Sequence, residues 1–491
     1  MNKQYAEKPR RTLPEVKIEF AEENNGTVIV RGISSNLGSR KVEVIVNGDL
    51  NLRYVAENVS VGEWSCTFKL PYNGDYEIEA SVRDYSDFSK IRQTTPDENY
   101  FMLEDTQVRG ATVTKHTDGL YYMIFSKWEA HDNFSNDWPV YSELGYAVST
   151  KLEGPYIYQG KALDASYSNT TNKDPVTWEG VGKLEVFHNP TIMHSEKDGM
   201  YYLYFMGTNA SEGGYTYSYS RNHQRIGVAY ADSPAGPWTV KEEPVIDVRE
   251  GMFDNLLVSN PSVTEVKQAD GTYKYYTVYK SVEKSNNKET VASGCGWSDS
   301  PLGPFTRSDE AIMKLPGVSF SVEDCYLWHS NGKFYALAKD MHNNFTDKKS
   351  SRYNYALFES NDCVEWALSE NALAYQANVP WVSGTEEKYY LERAQLYLED
   401  EIPFMICCAS SVGYGSFNSN QGYNIQIPLL GVLMAKDTES LKITGLEEKT
   451  VNKNELSQLL QKATEAQESC YTSGTWIALQ SARRAAEIIS N

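Results

Sequence analysis

The sequence lacks several features that would assign it to a common class of protein. No segment offers 18 or more consecutive apolar residues, so no membrane-spanning helix is predicted. The opening residues MNKQYAEKPRRTLPEV contain no apolar stretch typical of a secretory signal, so we expect a cytoplasmic protein, or a secreted one if its N-terminus was trimmed. The motifs G-x-x-x-x-G-K-[ST] and G-x-S-x-G are also missing, which argues against a nucleotide phosphate loop and against acyl transfer.

Basic residues are scarce relative to acidic ones. Lys and Arg number 46 against 66 Asp and Glu, for a net charge near −20, which would repel nucleic acid and anionic membrane surfaces. Neither is therefore expected as a partner, and a strongly anionic polymer is expected only if local basic residues line the site. Nothing in the composition indicates an oligomeric state.

Cysteine and metal-binding patterns are sparse as well. The seven cysteines are an odd number, and Cys295, Cys325, Cys407 and Cys408 lie in apolar runs typical of small buried side chains in a reducing compartment. No HxxxH or CxxC pattern indicates a transition metal, and no dedicated calcium loop is visible. We expect no required cofactor, with a central calcium ion as the alternative.

What the sequence does contain is alternation typical of β-strands. Over residues 14–98 the runs VKIEF, TVIVRG, KVEVIVNG and YEIEASVRD alternate apolar and polar residues between NNG, NG and NGD turns. This pattern predicts one small β-sandwich of the immunoglobulin class.

A repeat dominates residues 100–440. Five segments open with VRGATV, FHNPTI, VSNPSV, VEDCYL and LERAQL, and each continues into a turn and an aromatic second strand. Third strands follow as GYAVSTKLEGPY, IGVAYADSPAGPW, SGCGWSDSPLGPF and YALFESNDCVEW, with LLGVLMAKD as the fifth. Aligning Arg109, His188, Ser259, Glu323 and Glu392 gives spacings of 79, 71, 64 and 69 residues. The repeat predicts an all-β fold, a five-bladed β-propeller whose sheets bury their faces against one another.

The tail, residues 450–491, changes to helical spacing. Two groups of apolar residues recur on one face of a predicted helical hairpin joined near YTSGTW. They are Leu456, Leu459, Leu460, Ala463 and Ala466, then Trp476, Leu479, Ala482 and Ala485. This stretch resembles the first part of a FIVAR module.

In a propeller the first strands begin, and the second strands end, at the same face, so polar residues from distant segments should meet there. The candidates that the alignment brings to this face are Arg109, Trp128, Glu143, His188, Asn189, Arg225, Asn260, Lys280, Glu323, Asp324, Asp340, Glu392 and Arg393. Charged groups crowded at a channel mouth are costly unless they are paired or used. The alternatives are that Asn189, Asn260 and Arg393 tie neighbouring blades together, and that Glu392 forms a salt bridge with Arg393 or Arg109.

The motifs HNPTI, SNPSV, VEDCYLW and ERAQL, together with SKW, DGMYYLYFMG, VYK, AKD, ADSPAGPW and SDSPLGPF, resemble the family 43-like glycoside hydrolases of the five-bladed propeller group, relatives of families 32, 62 and 117. The resemblance implies that two carboxyl groups cut a glycosidic bond, one with a raised pKa and one ionised. Because neighbouring strand residues point opposite ways, Glu323 and Asp324 are not both expected to face the sugar. Asp324 aligns with the residues before Pro190 and Pro261, where such families carry a base aspartate.

We therefore expect Asp324 as the general base, with Glu323 as its rival, and Glu392 as the acid, with Glu143 or Asp340 as substitutes. The expected activity is the exo-acting release of a terminal sugar, with inversion. Two alternatives remain. VRGATV offers no first-blade aspartate, which keeps a non-catalytic sugar-binding propeller open, and Lys280, Arg225 and Arg393 could form the phosphate site of a glycoside phosphorylase.

Overall fold

The computed structural model describes residues 13–70, 72–129, 137–167, 175–346, 353–388, 390–411, 421–444, 446, 453–465 and 483. They are built mainly from antiparallel β-strands, which confirms the predicted predominance of β-structure. The chain packs as two compact units, one of residues 1–91 and 430–451 and the other of residues 92–429 and 452–491. In the described part of the chain no helix is both long and apolar enough to cross a membrane.

The first unit begins with the strands of the predicted sandwich. They are β1 (Glu15–Asn24), β2 (Thr27–Ser35), β3 (Val42–Val46), β4 (Asp49–Val55), β5 (Glu57–Ser60), β6 (Glu63–Lys69) and β7 (Gly74–Asp84). One sheet has the order β1-β2-β6-β5, and β4, β3 and β7 belong to a second. Two of the predicted Asn-Gly turns form as expected, because Asn25, Gly26, Asn47 and Gly48 all take the positive φ that a tight hairpin requires. Asn73 and Gly74 do not take it, and Gly74 begins strand β7.

The second unit contains five four-stranded sheets. The strands of this unit are β8 (Tyr100–Phe101), β9 (Thr106–Lys115), β10 (Tyr121–Glu129), β11 (Glu143–Ser149), β12 (Ile157–Leu163), β13 (Thr177–Trp178), β14 (Gly182–Lys183), β15 (Val186–His194), β16 (Tyr201–Thr208), β17 (Arg225–Ala231), β18 (Thr239–Val240), β19 (Leu257–Lys267), β20 (Tyr273–Ser285), β21 (Lys288–Ser298), β22 (Thr306–Arg307), β23 (Val322–Ser330), β24 (Lys333–Asp340), β25 (Tyr355–Ser360), β26 (Ala367–Tyr375), β27 (Asn378–Trp381), β28 (Gly384–Glu387), β29 (Glu392–Glu399), β30 (Ile402–Ser411) and β31 (Gly422–Pro428). Two pairs of these strands, β13 with β14 and β27 with β28, form separate two-stranded sheets.

The five sheets have the orders β12-β11-β10-β9, β15-β16-β17-β18, β19-β20-β21-β22, β23-β24-β25-β26 and β29-β30-β31-β8. Strand β8, from the start of this unit, completes the last sheet beside β31. The first strands neighbour one another in the order β9, β15, β19, β23 and β29, and β29 adjoins β9 again. They therefore form a closed ring, and residues at equivalent positions of the five strands come close together.

One part of the repeat alignment is wrong. LLGVLMAKD is not the third strand of the fifth sheet, because β31 occupies that place. Most of that segment lies in β32 (Val432–Ile443), which pairs with β7 and completes the second sheet of the first unit. Apolar residues fill the core of that unit, among them Val28, Val44, Trp64 and Ile78.

Helices are few among the described residues. They are α1 (Trp138–Tyr141), α2 (Tyr217–Asn222) and α3 (Lys453–Glu465), with single 3₁₀ turns at Phe88–Lys90, Ser211–Gly213 and Met341–Asn343. Helix α3 coincides with the first predicted helix of the tail, although Ala466 lies beyond the described residues. The second predicted helix, with Trp476, Leu479, Ala482 and Ala485, also lies outside them. The FIVAR resemblance and the domain boundaries stay predictions.

A β-bulge recurs at the same place in all five sheets. Between first and second strand the register slips by one residue directly after Arg109, His188, Ser259, Glu323 and Glu392. The predicted equivalence of these five residues is therefore confirmed. The residue that follows each one has a left-handed backbone, with φ of 61° at Gly110, 50° at Asn189, 49° at Asn260, 53° at Asp324 and 50° at Arg393. Such bulges re-aim side chains and often lie beside functional sites.

Candidate active site

A cavity of about 370 Å³ lies where the bulged positions meet. Ten predicted residues line it: Arg109, Trp128, His188, Asn189, Asn260, Lys280, Glu323, Asp324, Glu392 and Arg393. Further residues that the sequence patterns do not reveal also line the cavity, among them Trp138, Tyr217, Arg221, Lys339 and Tyr353. Trp138 and Tyr217 belong to the short helices α1 and α2, which no periodic pattern could reveal.

Glu323 and Asp324 both line the cavity, which corrects the expectation that only one of them would. Alternation of side chains holds for a regular strand, and the bulge interrupts it here. The left-handed φ of 53° at Asp324 turns its side chain to the same cavity as Glu323. Asp and Asn tolerate this conformation better than most other residues, so the backbone accepts it at modest cost.

Hydrogen bonds join the bulged residues around the ring. Asn189 Nδ2 donates to Asn260 Oδ1 and Asn260 Nδ2 donates to Asp324 Oδ1, both at 2.7 Å. The backbone N–H of Arg393 donates to Asp324 Oδ2 at 3.3 Å, and Arg393 Nη2 donates to the carbonyl oxygen of Asn189 at 3.2 Å. Asn189, Asn260 and Arg393 therefore do tie neighbouring sheets together, as one of the two alternatives held.

Lys339, at the end of β24, lies at the centre of the charged groups. Its Nζ is 2.8 Å from Glu323 Oε2, 3.0 Å from Glu392 Oε1 and 3.5 Å from Asp324 Oδ2, and its side chain is 4% exposed. The motif AKD had drawn attention to Asp340, the next residue. The sequence does contain a signal for Lys339, because it aligns with Lys280 of the VYK motif. Lys280 pairs with Ser259 and Lys339 pairs with Glu323, and each of these partners directly precedes a bulge.

The cluster separates the protonation behaviour of its acids. Burial opposes ionisation of Glu323, but Lys280 and Lys339 outweigh it and hold the pKa of the carboxyl well below its usual range. For Asp324 burial prevails, and with the negative charge of Glu323 it raises the pKa despite Lys339. Lys339 is itself buried, but Glu323, Glu392 and Asp324 raise its pKa well above 10.5. At neutral pH the ammonium and the Glu323 carboxylate are both charged.

Arg109 and Lys280 complete the ion pairs of the acids. Arg109 Nη1 lies 3.0 Å from Glu392 Oε2, and its Nη2 donates to Tyr390 Oη at 3.1 Å and to Ser411 Oγ at 3.0 Å. The predicted salt bridge between Glu392 and Arg109 is therefore present. Lys280 donates a short hydrogen bond to Glu323 Oε1.

His188 is buried against aromatic rings. Its Nδ1 lies 2.8 Å from Ser142 Oγ, and its ring centroid is 4.9 Å from that of Trp138 and 5.6 Å from that of Trp128. Burial, followed by the charges of Arg393 and Arg109, holds the pKa of His188 well below 6.5. The imidazole is neutral at physiological pH and suits a hydrogen bond better than proton transfer.

Aromatic side chains continue from the cavity onto the surface of α1 and the segment around α2. Trp138 contacts Tyr217 edge to face at 6.2 Å, and Tyr141 stacks with Tyr215 at 6.1 Å with planes 10° apart. Tyr141, Tyr215 and Tyr217 are 42%, 55% and 40% exposed. Rings of this kind can stack on sugar faces while their hydroxyls form hydrogen bonds.

Three predicted site residues lie outside the cavity lining. Glu143 pairs with Lys127 at 2.5 Å and Lys161 at 2.7 Å, and Arg225 pairs with Asp247. The buried Asp340 accepts backbone hydrogen bonds at 2.9 Å from Asn344, Phe345 and Thr346 and so holds a loop. The expectation that they face the sugar is not met, because local partners engage their side chains. Asp340 also follows Lys339 directly on a regular strand, so its side chain points to the opposite face from the cavity that Lys339 lines.

Within the described ranges no group of three or more His, Cys, Asp and Glu residues is arranged to hold a metal ion. The three acids of the cavity surround the Lys339 ammonium instead. The predictions about cofactors and calcium stay predictions.

Comparison with known proteins places the chain near glycoside hydrolases. No family model matches it. A curated protein of Bacteroides ovatus described as a xylosidase/arabinosidase is 25% identical over 238 residues, which are 45% of this chain and 61% of that protein. The chain thus spans about three fifths of the length of this relative.

Solved structures of glycoside hydrolases also match. Zg3597, a family 117 glycoside hydrolase of the marine bacterium Zobellia galactanivorans, has a TM-score of 0.47 at 19% identity, over 76% of this chain and 99% of that one. A thermostable family-43 glycoside hydrolase has a TM-score of 0.44 at 14% identity, over 73% and 100%. A GH62 hydrolase in complex with xylotriose has a TM-score of 0.47 at 10% identity, over 70% and 98%. The predicted similarity to families 43, 62 and 117 is confirmed.

Proposed function

We propose that this chain is a glycoside hydrolase that holds a terminal sugar in the cavity and hydrolyses its O-glycosidic bond. The observation that carries the proposal is the set of carboxyl groups, Glu323, Asp324 and Glu392, that two neighbouring sheets bring to one cavity. Glycoside hydrolysis needs two carboxyl groups in different protonation states. The similarity to a xylosidase/arabinosidase supports the same class of reaction.

The proposal includes the finer architecture. The closed ring of five four-stranded sheets supports a five-bladed β-propeller, and the two four-stranded sheets of the first unit support an immunoglobulin-like sandwich. Exo action is supported by the size of the cavity, since about 370 Å³ suits one or two sugar rings better than a long chain. The exposed rings of Tyr141, Tyr215 and Tyr217 would then contact the sugars beyond the cleaved bond.

The pKa directions support a revised division of roles. Asp324 keeps its proton to a higher pH than Glu323 does, because burial raises its pKa, and it would protonate the leaving oxygen. Glu323 stays ionised, because Lys280 and Lys339 lower its pKa, and it would attack the sugar or activate water. Glu392 would position Lys339 and Arg109 beside them. This reverses the role that the sequence predicts for Asp324, a base with Glu392 as the acid, because Lys339 lies against all three carboxyl groups.

The spacing of these groups bears on stereochemistry. Glu323 Oε2 and Asp324 Oδ2 lie 2.8 and 3.5 Å from the same nitrogen of Lys339, so they are closer together than the ~6.5–9.5 Å typical of inverting enzymes. This favours retention of anomeric configuration over the inversion expected from the resemblance. Proton NMR of the first product released would distinguish the two, because each outcome yields a different anomer.

The test is turnover of a panel of aryl glycosides and natural oligosaccharides by the wild type and three amide variants. We expect D324N and E323Q to lose at least ~100-fold in kcat while sugar binding changes only a few-fold. E392Q should lose less, because its role is positioning. The matched control is E359Q, in the same sheet as Glu323 and paired at 3.5 Å with Lys333 near the surface, which should keep wild-type turnover.

A non-catalytic sugar-binding propeller is the second candidate, and one observation favours it. Each of the three acids already has a cationic partner in the cavity, so the cluster could serve to hold a ligand without reacting. Sugar binding without turnover of any substrate in the panel would support this candidate. Turnover that rises with added inorganic phosphate would instead support the phosphorylase alternative, for which Lys280 and Arg393 line the cavity and Arg225 does not.

A further inference from the structure

The cavity has more basic than acidic side chains, although the whole chain carries a net charge near −20. Its acids are Glu323, Asp324 and Glu392. The basic residues in the lining are Arg109, Arg221, Lys280, Lys339 and Arg393. The charge of the cavity lining is therefore opposite in sign to the net charge of the chain. Local basic residues of this kind are the condition that the sequence analysis set for binding an anionic ligand.

Most of these cations are paired with acids. Arg221 pairs with Glu289 at 2.7 Å, Arg109 with Glu392, and Lys280 with Glu323. Lys339 is shared among the three acids of the cavity. Arg393 is different, since no ion pair joins its guanidinium to a carboxylate among the residues that the structure describes.

Arg393 is also incompletely hydrogen-bonded. It is 4% exposed, and its Nη2 donates to the carbonyl oxygens of Asn189 at 3.2 Å and Pro190 at 3.4 Å. Its Nε and Nη1 are buried and have no hydrogen-bond partner in the described part of the chain. A buried charged group with unsatisfied donors costs free energy unless a ligand or water supplies acceptors.

We propose that the sugar held in the cavity carries an anionic group, a carboxylate or a sulfate, and that the guanidinium of Arg393, whose Nε and Nη1 are enclosed, turns toward the cavity to receive its oxygens. This inference rests on the proposed function in that a sugar occupies the cavity, and it does not depend on turnover. Guanidinium groups suit planar and tetrahedral oxyanions better than neutral hydroxyls, since the hydrogen bonds are charge-assisted. Arg393, Arg109 and Lys280, whose charges add to burial in lowering the pKa of His188, also favour a negative ligand.

The experiment measures binding of matched monosaccharides to the full chain by isothermal titration calorimetry. Three pairs differ only in the carboxylate: glucose and glucuronate, galactose and galacturonate, mannose and mannuronate. In at least one pair we expect the acid to bind about tenfold or more tightly than the neutral sugar, and the preference to shrink as salt is raised from 20 to 300 mM in the assay. Galactose 6-sulfate and inorganic sulfate are parallel arms that distinguish a sugar sulfate and a free oxyanion from a uronate.

Arg393→Lys is the informative variant, because it keeps the charge but removes the separately placed donors. It should lose most of the preference for the anionic sugar and retain the weaker affinity for the neutral one, with thermal unfolding recorded to verify the fold. If neither the acid nor the sulfated sugar binds more tightly than its neutral partner in any pair, the inference is overturned. Inorganic sulfate binding as tightly as the best sugar anion would also overturn it. Absence of turnover on aryl glycosides would count against the proposed hydrolysis and leave this preference measurable.

Discussion

Replacing Lys339 with methionine should destabilise the second unit, because the substitution leaves three neighbouring carboxyl groups without their shared cation. The ammonium lies 2.8 to 3.5 Å from oxygens of Glu323, Asp324 and Glu392. Glu323 keeps Lys280 and Glu392 keeps Arg109, but Asp324 loses its nearest cation. The three acids then repel one another in a buried setting.

The size of the effect follows from burial. The side chain of Lys339 is 4% exposed and those of its partners are 6–17% exposed, so solvent screens these pairs little. Removing one partner of a buried ion pair costs ~3–5 kcal/mol. Since about 1 kcal/mol shifts Tm by ~2–4 °C in domains of 150–250 residues and by less in larger ones, we expect a fall of roughly 5–10 °C.

The effect should depend on pH in a defined direction. The folded pKa of Lys339 lies above 10.5, so its contribution is fully present below that pH and is lost only as pH rises through the folded value. The folded pKa of Glu323 lies below 4.5, so its contribution is present above pH 4.5 and is lost as pH falls through the folded value. Between pH 8 and 5 the wild type therefore keeps both contributions. In the variant Glu323 has lost one of the two cations that lower its pKa, so it takes up a proton at a higher pH, which relieves the repulsion.

The assay is thermal unfolding at pH 8 and pH 5, with Lys333→Met as the matched control. Lys333 lies on the same strand, β24, and pairs with Glu359 at 3.5 Å, but the two side chains are 45% and 34% exposed. Such a surface pair contributes ~1 kcal/mol or less. The reasoning fails if the two variants lower Tm equally, or if the deficit of K339M is the same at both pH values.

Three further results should follow. If Asp324 is the proton donor, kcat/KM of the wild type should fall as pH rises through the raised pKa of Asp324. The pH–rate profile of D324N should lack this alkaline decline. Tyr215→Ala should raise KM about tenfold for oligosaccharides of three or more units, a loss of ~1.4 kcal/mol, and leave kcat on an aryl glycoside unchanged; an equal loss on both substrates would contradict a role beyond the cleaved bond. In the first unit, Glu43→Gln breaks the buried pair with Arg53 at 2.6 Å and should cost ~3 kcal/mol by denaturant unfolding, with an exposed Glu63→Gln as the neutral comparison.

The parts of the fold that the sequence predicted are those set by local chemistry. The Asn-Gly turns at Asn25 and Asn47 take the positive φ that this dipeptide favours in a tight hairpin, and similar strand openings recur along the chain. The segment LLGVLMAKD was misassigned because a half-buried strand has the same alternating pattern in any sheet. Its partner, β7, lies some 350 residues earlier, and pattern alone cannot identify it.

The repeat alignment predicted the site residues that occupy equivalent strand positions. It could not predict those whose role depends on charges that only folding brings together. Ten residues reach the cavity because equivalent positions of a ring converge. Lys339 was passed over in favour of Asp340, since the sequence does not reveal which of two adjacent charged residues faces inward. The pKa of Glu323 is lowered partly by Lys280 from a neighbouring sheet, and burial raises that of Asp324, so both environments exist only after the sheets assemble.

The bulges are visible in the sequence as residue types that tolerate a left-handed backbone, and one of the five positions departs from this pattern. The residues at the left-handed position are Gly110, Asn189, Asn260, Asp324 and Arg393, of which the first four are the types that tolerate positive φ. An arginine there costs of the order of 1–3 kcal/mol in backbone strain, and this strain adds to the unsatisfied donors of its side chain. Strain and unmet hydrogen bonds at one residue are best explained by a ligand that the residue serves. Arg393 is therefore the position of the ring at which specificity for the bound sugar should be sought first.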